Sequence, residues 1–245
     1  MNLREVQGLR KTYPAFRLED VSFSVPEGAV MGLIGRNGAG KSTTLKSILG
    51  LVHPDAGRVE MFGREFSENE RYIKENIGVV LGGIDFYPKK KVRTITDVTR
   101  RFYSNWQEEK YRHYLDLFAI DENKRVDQLS SGMRVKYLLA LALSHNARLL
   151  ILDEPTSGLD PVSRDELAEL LRRIAADGTR SVLFSTHITS DLEKCASHIT
   201  FIQEGRLQRS DTLAGFMAHY ADLGSTLEEI IVAAERRPYD ADAII

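Results

Sequence analysis

Five short runs of consecutive apolar residues punctuate the chain: AVMGLI (29–34), IGVVL (77–81), LLILD (149–153), SVLFST (181–186) and ITFIQ (199–203). They lack the alternation of a half-exposed strand, which predicts strands covered on both faces, as in a parallel sheet. Helical patterns lie between them, at 42–50, 162–176 and 189–196. In the second of these, Leu167, Leu170, Leu171 and Ile174 recur at three- and four-residue spacing and form one apolar stripe. Alternating strands and helices predict an α/β core that binds its ligands at the carboxyl ends of the strands.

The flanking and central segments read differently. LREVQGLRKTY and FRLEDVSFSV, near the N-terminus, alternate like antiparallel strands. Residues 86–148 hold no strong strand. Ile95, Val98 and Phe102 are predicted to share one helix face, Tyr111, Leu115 and Phe118 a second, and Leu138, Leu139, Ala142 and Leu143 a third. The expected organisation is therefore one domain over 1–245. Residues 1–85 and 149–210 make the α/β core with an N-terminal β subdomain, 86–148 a helical insertion, and 211–245 a C-terminal helical extension.

Composition narrows the class. The chain has 245 residues, 42% of them hydrophobic and 28% charged, as in soluble globular proteins. A formal net charge of −2 gives no global field toward nucleic acid, and none is expected as a partner. The single cysteine, Cys195, lies in DLEKCASHI with no metal-ligand spacing, and reads as a small buried hydrophobe. The N-terminal stretch is charged and lacks the apolar centre of a signal peptide. The longest candidate span, YLLALALSHNARLLILDEP, is broken by His145, Asn146 and Arg148, short of the ~20 apolar residues of a bilayer crossing.

Two motifs carry the chemistry. GRNGAGKS (35–42) matches G-x-x-x-x-G-K-[ST] in full, with a strand before it and a helix after it. Gly35, Gly38 and Gly40 let the backbone of Asn37, Ala39 and their neighbours curl so that successive N–H groups face phosphate oxygens. Lys41 reaches the β- and γ-phosphates, Ser42 ligates Mg²⁺, and the helix through Ser42 and Thr43 presents its positive end. LLILDE (149–154) delivers Asp153 at a strand end, where it can hold Mg²⁺, and Glu154 beside it, where it can act as general base toward water. His187 ends another strand at the same sheet edge and is placed to touch a γ-phosphate. Tyr13 offers a flat partner for adenine, a stack worth ~1–3 kcal/mol. In QLSSGMRVK (128–136), Ser130 or Ser131 reads as a helix cap, and the same turn, with Gly132, reads as an anion site.

The order Tyr13, GRNGAGKS, LSSGM, LLILDEPTSGLD, FSTH resembles the ATP-binding-cassette (ABC) nucleotide-binding domain of membrane transporters, over the chain to about residue 210. The resemblance implies a RecA-like P-loop NTPase fold, ATP and Mg²⁺ as ligands, and ATP hydrolysis. LSSGM stands where that family carries Leu-Ser-Gly-Gly-Gln, with Ser130 and Gly132 matching and Ser131 and Met133 departing. By resemblance this turn binds ATP held in the P-loop of a second subunit, and SGLD (157–160) lies at the subunit junction. The implied partners are a second ATPase subunit, identical or not, and a separate transmembrane permease. The implied location is cytoplasmic, on the inner face of the membrane. LSSGMRVK and LSHNARLLILDEPTSGLDP look most like bacterial exporters.

One departure stands out. Where the family has a glutamine after IGVVL, this chain has Gly82; water replaces that side chain, Asp85 reaches in, or hydrolysis is slow. The basic, aromatic stretch 87–106 reads as a docking face for the permease, as a lipid or nucleic-acid contact, or as a solvated helix surface. Two other functions stay open at this stage: a regulatory module that uses ATP only to dimerise, and a non-transport ABC ATPase.

Overall fold

A computed structural model describes residues 2–81 and 87–236. In chain order the elements are β1 (Asn2–Tyr13), β2 (Phe16–Pro26), β3 (Val30–Ile34), α1 (Lys41–Ile48), β4 (Ala56–Met61), β5 (Arg64–Glu65), α2 (Phe66–Asn76) and β6 (Ile77–Leu81). There follow α3 (Val92–Thr99), α4 (Glu108–Leu117), α5 (Ser131–Ser144), β7 (Leu149–Asp153), α6 (Pro161–Ala175), β8 (Ser181–Thr186) and α7 (Thr189–Cys195). The chain closes with β9 (His198–Gln203), β10 (Arg206–Thr212), α8 (Leu213–His219) and α9 (Leu227–Glu235).

The strands lie side by side in the order β5-β4-β1-β2-β10-β9-β3-β8-β7-β6. From β9 to β6 the pairing is parallel, and β1, β2, β4 and β5 pair antiparallel. All residues of β3, β7 and β8 are buried, which is why their sequences run apolar without alternation. One face of the sheet packs Val182, Phe184 and Phe201 against Leu139, Leu167, Leu171, Leu192, Phe216 and Ile230 of the helices. The other packs Leu33, Ile151 and Leu183 against Leu45 and Ile48 of α1 and against Leu18 and Val21 of the antiparallel strands. The helices of 92–144 keep a cluster of their own around Val92, Tyr111, Leu115, Tyr137 and Leu141.

The register decides where chemistry can happen. Ile34 pairs with Thr186, Asp153 with Ser185, and Leu81 with Asp153. The loops after β3, β7 and β8 therefore leave from one sheet edge. A tight turn reinforces that edge. Glu204 (φ 50) and Gly205 (φ 77) link β9 to β10, with both residues left-handed as a two-residue hairpin requires. Gly205 N–H donates to Ala39 O (2.9 Å) and its carbonyl accepts from Glu19 N–H (2.8 Å), tying the loop after β3 to β2.

Two expectations need correction, and one region given no elements from sequence acquires them. Ile95, Val98 and Phe102 do not share one helix face: Ile95 packs against the helical cluster, Val98 and Phe102 are exposed, and Val92 and Thr96 face the core. Helix α3 ends at Thr99, and a 3₁₀ turn at Arg100–Phe102 rotates Phe102 off the stripe. Residues 56–76, unassigned from sequence, form β4, β5 and α2. The C-terminal region begins with the end of a strand, since β10 runs to Thr212 before α8 starts.

Candidate functional site

The loop after β3 is built around a buried lysine. Lys41 is 4% exposed. Its ammonium donates to Gly35 O (2.7 Å) and Arg36 O (3.2 Å) and pairs with Glu154 Oε1 at 3.3 Å. A buried ammonium must be paired, and here two carbonyls and one carboxylate do it. Gly40 precedes helix α1 with φ 112, and no side chain caps the helix. The first N–H groups of α1 are thus left for an anion. A Cβ on Gly40 would also come within 2.9 Å of the Phe16 ring, so glycine is required twice over. Asn37, Gly38, Gly40, Lys41, Ser42 and Thr43 line one cleft together with Tyr13, Glu154, Ser157 and His187. Ala39 is buried beneath it.

The acids at the end of β7 are held individually. Asp153 is 7% exposed, and its Oδ1 accepts from Ser42 Oγ (3.0 Å) and Ser185 Oγ (2.6 Å). Glu154 has φ 49, a left-handed conformation that costs a non-glycine residue ~1–3 kcal/mol. Its N–H donates to both the carbonyl (3.2 Å) and the hydroxyl (2.9 Å) of Ser185. That bend sets the carboxylate between two partners: Lys41 on Oε1, and His187 Nδ1 on Oε2 at 2.8 Å. The arrangement can hold anionic phosphate, place one carboxylate and one hydroxyl on a divalent cation, and leave a second carboxylate to accept a proton.

The residues predicted as one phosphate site are thereby brought together with Asp153, Glu154, His187 and Tyr13. The LSSGM turn is different. Ser130 is the N-cap of α5, its Oγ accepting from Met133 N–H at 3.2 Å. Ser131 Oγ donates to Gly158 O (3.3 Å), and a Cβ on Gly132 would sit 3.3 Å from Ser163 Oγ. The turn therefore leans on the segment around Gly158 and Ser163. Ser130 and Gly132 are not among the residues lining the P-loop cleft; Ser131 borders a neighbouring one with Ser42, Asp153 and Glu154. Asp160 caps α6. The Ser163 hydroxyl and the N–H groups of Ser163 and Val162 hold its carboxyl below the usual range.

Sequence reasoning did not find Ser185, which fastens Asp153 and Glu154 together; the β7–β8 register opposite Asp153 is the signal that identifies it. Gly82 and Asp85 lie outside the described residues. Cys195 is buried, and desolvation pushes its thiol up to about 12, consistent with a structural role.

Residues 18–157 match the family model described as ABC transporter. The chain is 33% identical over 202 residues to the bacitracin transport ATP-binding protein BcrA of Bacillus licheniformis, covering 81% of this chain and 66% of that protein. It is 39% identical over 191 residues to the Nod factor export ATP-binding protein I of Burkholderia orbicola, covering 76% and 62%. The matches thus span somewhat under two thirds of those relatives' own lengths. Among solved structures, an ATP binding subunit of an ABC transporter superposes with a TM-score of 0.84 at 28% identity, covering 96% of this chain and all of that one. A dimeric ATP-binding cassette in a post-hydrolysis state, with ADP and phosphate bound, gives a TM-score of 0.75 at 21% identity, covering 86% and 98%, a likeness of fold. With that family model matched over more than half of its length, the chain belongs to the ABC transporter family.

Proposed function

We propose that this chain is the ATP-binding and ATP-hydrolysing subunit of an ABC transporter, working as a pair of copies beneath a separate transmembrane permease. The observation that carries the reading is the Glu154 carboxylate, fixed between Lys41 and His187 at the end of β7. Lys41, with its ammonium already facing an anionic group, exchanges Glu154 for the γ-phosphate when ATP enters. Glu154 is then released to take a proton from the attacking water, and His187 orients it. Tyr13 stacks on adenine, and the N–H groups of residues 37–43 hold the phosphates. In the dimer, Ser130, Ser131 and Gly132 of each copy close over the nucleotide of the other, and Asp160 lies at the junction.

Ser42 and Asp153 suit Mg²⁺. Their oxygens already share a hydrogen bond, and among the described residues no cluster of three or more His, Cys, Asp or Glu side chains could hold a metal alone. That donor set fits an ion that keeps its waters and binds through one carboxylate and substrate phosphate. When bound there, it neutralises charge on the β- and γ-phosphates.

Among the described residues no helix is long and apolar enough to cross a membrane, and in this reading a separate permease supplies the spans. Its docking place is the apolar groove of about 280 Å³ between β6, α3 and α5, lined by Val79, Leu81, Ile95, Leu138 and Leu141. Val98, on α3, and Phe102, in the turn after it, are exposed in the same basic, aromatic stretch 87–106. Export is the direction, by analogy with the bacitracin and Nod factor relatives, and the cytoplasmic face of the membrane is the location. Single-turnover ATP hydrolysis by the wild type and by Glu154→Gln tests the reading. A large loss of rate supports the hydrolase, and equal rates point to a dimerising module that uses ATP as glue.

A further inference from the structure

The P-loop has a support that its motif does not contain. Arg36, its second residue, donates its backbone N–H to Glu235 Oε1 at 3.0 Å, and the Arg36 guanidinium lies 3.7 Å from Glu235 Oε2. The two residues are 199 positions apart. Glu235 is the last residue of α9 and is 8% exposed.

A buried carboxylate at a helix C-terminus is opposed by the helix dipole, and the last turn of α9 holds no basic residue to offset it. Arg36 supplies part of its compensation. The rest of α9 is anchored without it. Leu227 and Ile230 are fully buried in the core, Leu227 N–H donates to Glu193 Oε1 (2.8 Å), and Gln203 Nε2 donates to Ala234 O (3.1 Å). The helix is thus a fixed post from which Glu235 reaches the loop.

The contact continues into the site. The carbonyl of Arg36 accepts from Lys41 Nζ and from Ala39 N–H (3.1 Å), closing the first turn of the loop. Holding the Arg36 N–H fixes the residue whose carbonyl seats the ammonium. We propose that Glu235 is a positioning residue of the P-loop: it pre-sets the first turn so that the remaining N–H groups and Lys41 meet triphosphate without reordering. By linkage, nucleotide bound in the loop must also steady the end of α9. Thus the C-terminal helix and the nucleotide site are energetically coupled.

The inference rests on the assignment of 35–42 as the phosphate cradle, so Lys41→Ala is measured alongside. Full-length wild type, Glu235→Ala and Glu235→Gln are compared by steady-state ATPase kinetics, thermal unfolding, and hydrogen exchange of the peptide 227–236 with and without ATP and magnesium. Loss of one charge-assisted hydrogen bond behind the loop is expected to raise KM for ATP about fivefold in Glu235→Ala, with kcat within about twofold. Glu235→Gln keeps an acceptor oxygen and is expected to stay within about twofold of wild type in KM. In the wild type nucleotide slows exchange at 227–236, and in Glu235→Ala that slowing is lost. An unchanged KM in Glu235→Ala, or nucleotide protection of α9 that survives it, overturns the proposal. So does a rise in KM shared equally by both variants and accompanied by a lower Tm, because that is the behaviour of a purely structural contact. If Lys41→Ala binds ATP like the wild type, the cradle assignment itself fails; if only Lys41→Ala is impaired, the role of Glu235 fails alone.

Discussion

Removing the charge of Glu154 should do two opposite things, and both can be sized from the geometry. At 3.3 Å, opposite charges in a medium of effective dielectric ~20 attract by about 5 kcal/mol, most of which desolvation offsets. In Glu154→Gln, Lys41 keeps its two carbonyl acceptors and exchanges the carboxylate for a neutral amide oxygen. The net loss in the nucleotide-free protein is then that of one charge-assisted hydrogen bond, about 2 kcal/mol. For a chain of this size that lowers Tm by about 4–8 °C. With ATP bound, phosphate is the partner of Lys41 in both proteins, so the cost disappears from the complex. The variant should therefore bind ATP more tightly, by about ten- to thirtyfold. Hydrolysis should fall by ~10²–10⁴-fold, the usual worth of a positioned general base. Equilibrium binding of ATP with magnesium, single-turnover hydrolysis and calorimetric unfolding read the three quantities. An unchanged hydrolysis rate would refute the role of Glu154 in proton transfer, and a weaker affinity would refute its role as the resting partner of Lys41.

Tyr13→Ala should weaken ATP binding by ~1–3 kcal/mol, while Tyr13→Phe keeps the ring and the affinity; titration with ATP and with inorganic triphosphate separates adenine from phosphate. Gly205→Ala should be severely destabilising, because its φ of 77 disfavours a side chain and the new Cβ would lie 1.8 Å from Arg17 O. A loss of ~3 kcal/mol, a fall in Tm of about 6–12 °C, is expected, with weakened ATP binding because Gly205 also holds Ala39. Desolvation pushes the pKa of buried His145 down to about 4, from 6.5. Between these values the unfolded chain binds a proton that the folded chain does not. Its contribution to stability is therefore complete above about pH 6.5 and shrinks as pH falls toward 4. From pH 7 to 5 that amounts to about 2 kcal/mol. His145→Phe, which keeps the ring stacked on Tyr103, should flatten this part of the acid limb in unfolding measured at both pH values.

The parallel half of the sheet was legible because β3, β7 and β8 are buried on both faces, so their sequences could not alternate. The phosphate loop was legible because its requirements are local: a left-handed Gly40, a buried ammonium and a helix start, all within a few residues. The β4–α2 region was not. The first three residues of β4 are exposed, and α2 buries only Ile73, so neither carries a readable stripe. Periodicity marks Val98 and Phe102 as apolar without saying what covers them, so it leaves their exposure open. Ser185 and Glu235 escaped for a different reason. Each acts on a residue brought to it by tertiary structure, Ser185 through strand register and Glu235 across 199 positions, and no local pattern encodes such a meeting.

The central claim is that nucleotide is held between two copies of this chain, the P-loop of one facing the LSSGM turn of the other. Sedimentation velocity of Glu154→Gln with ATP and magnesium tests it most directly when paired with Ser130→Asp in the same background. Aspartate caps α5 as serine does, so folding and Tm should be preserved. Its charge, however, faces phosphate in the proposed dimer. The account predicts a dimer for Glu154→Gln and a monomer once Ser130→Asp is added. A Glu154→Gln protein that stays monomeric with nucleotide bound, or a dimer indifferent to Ser130→Asp, would contradict it.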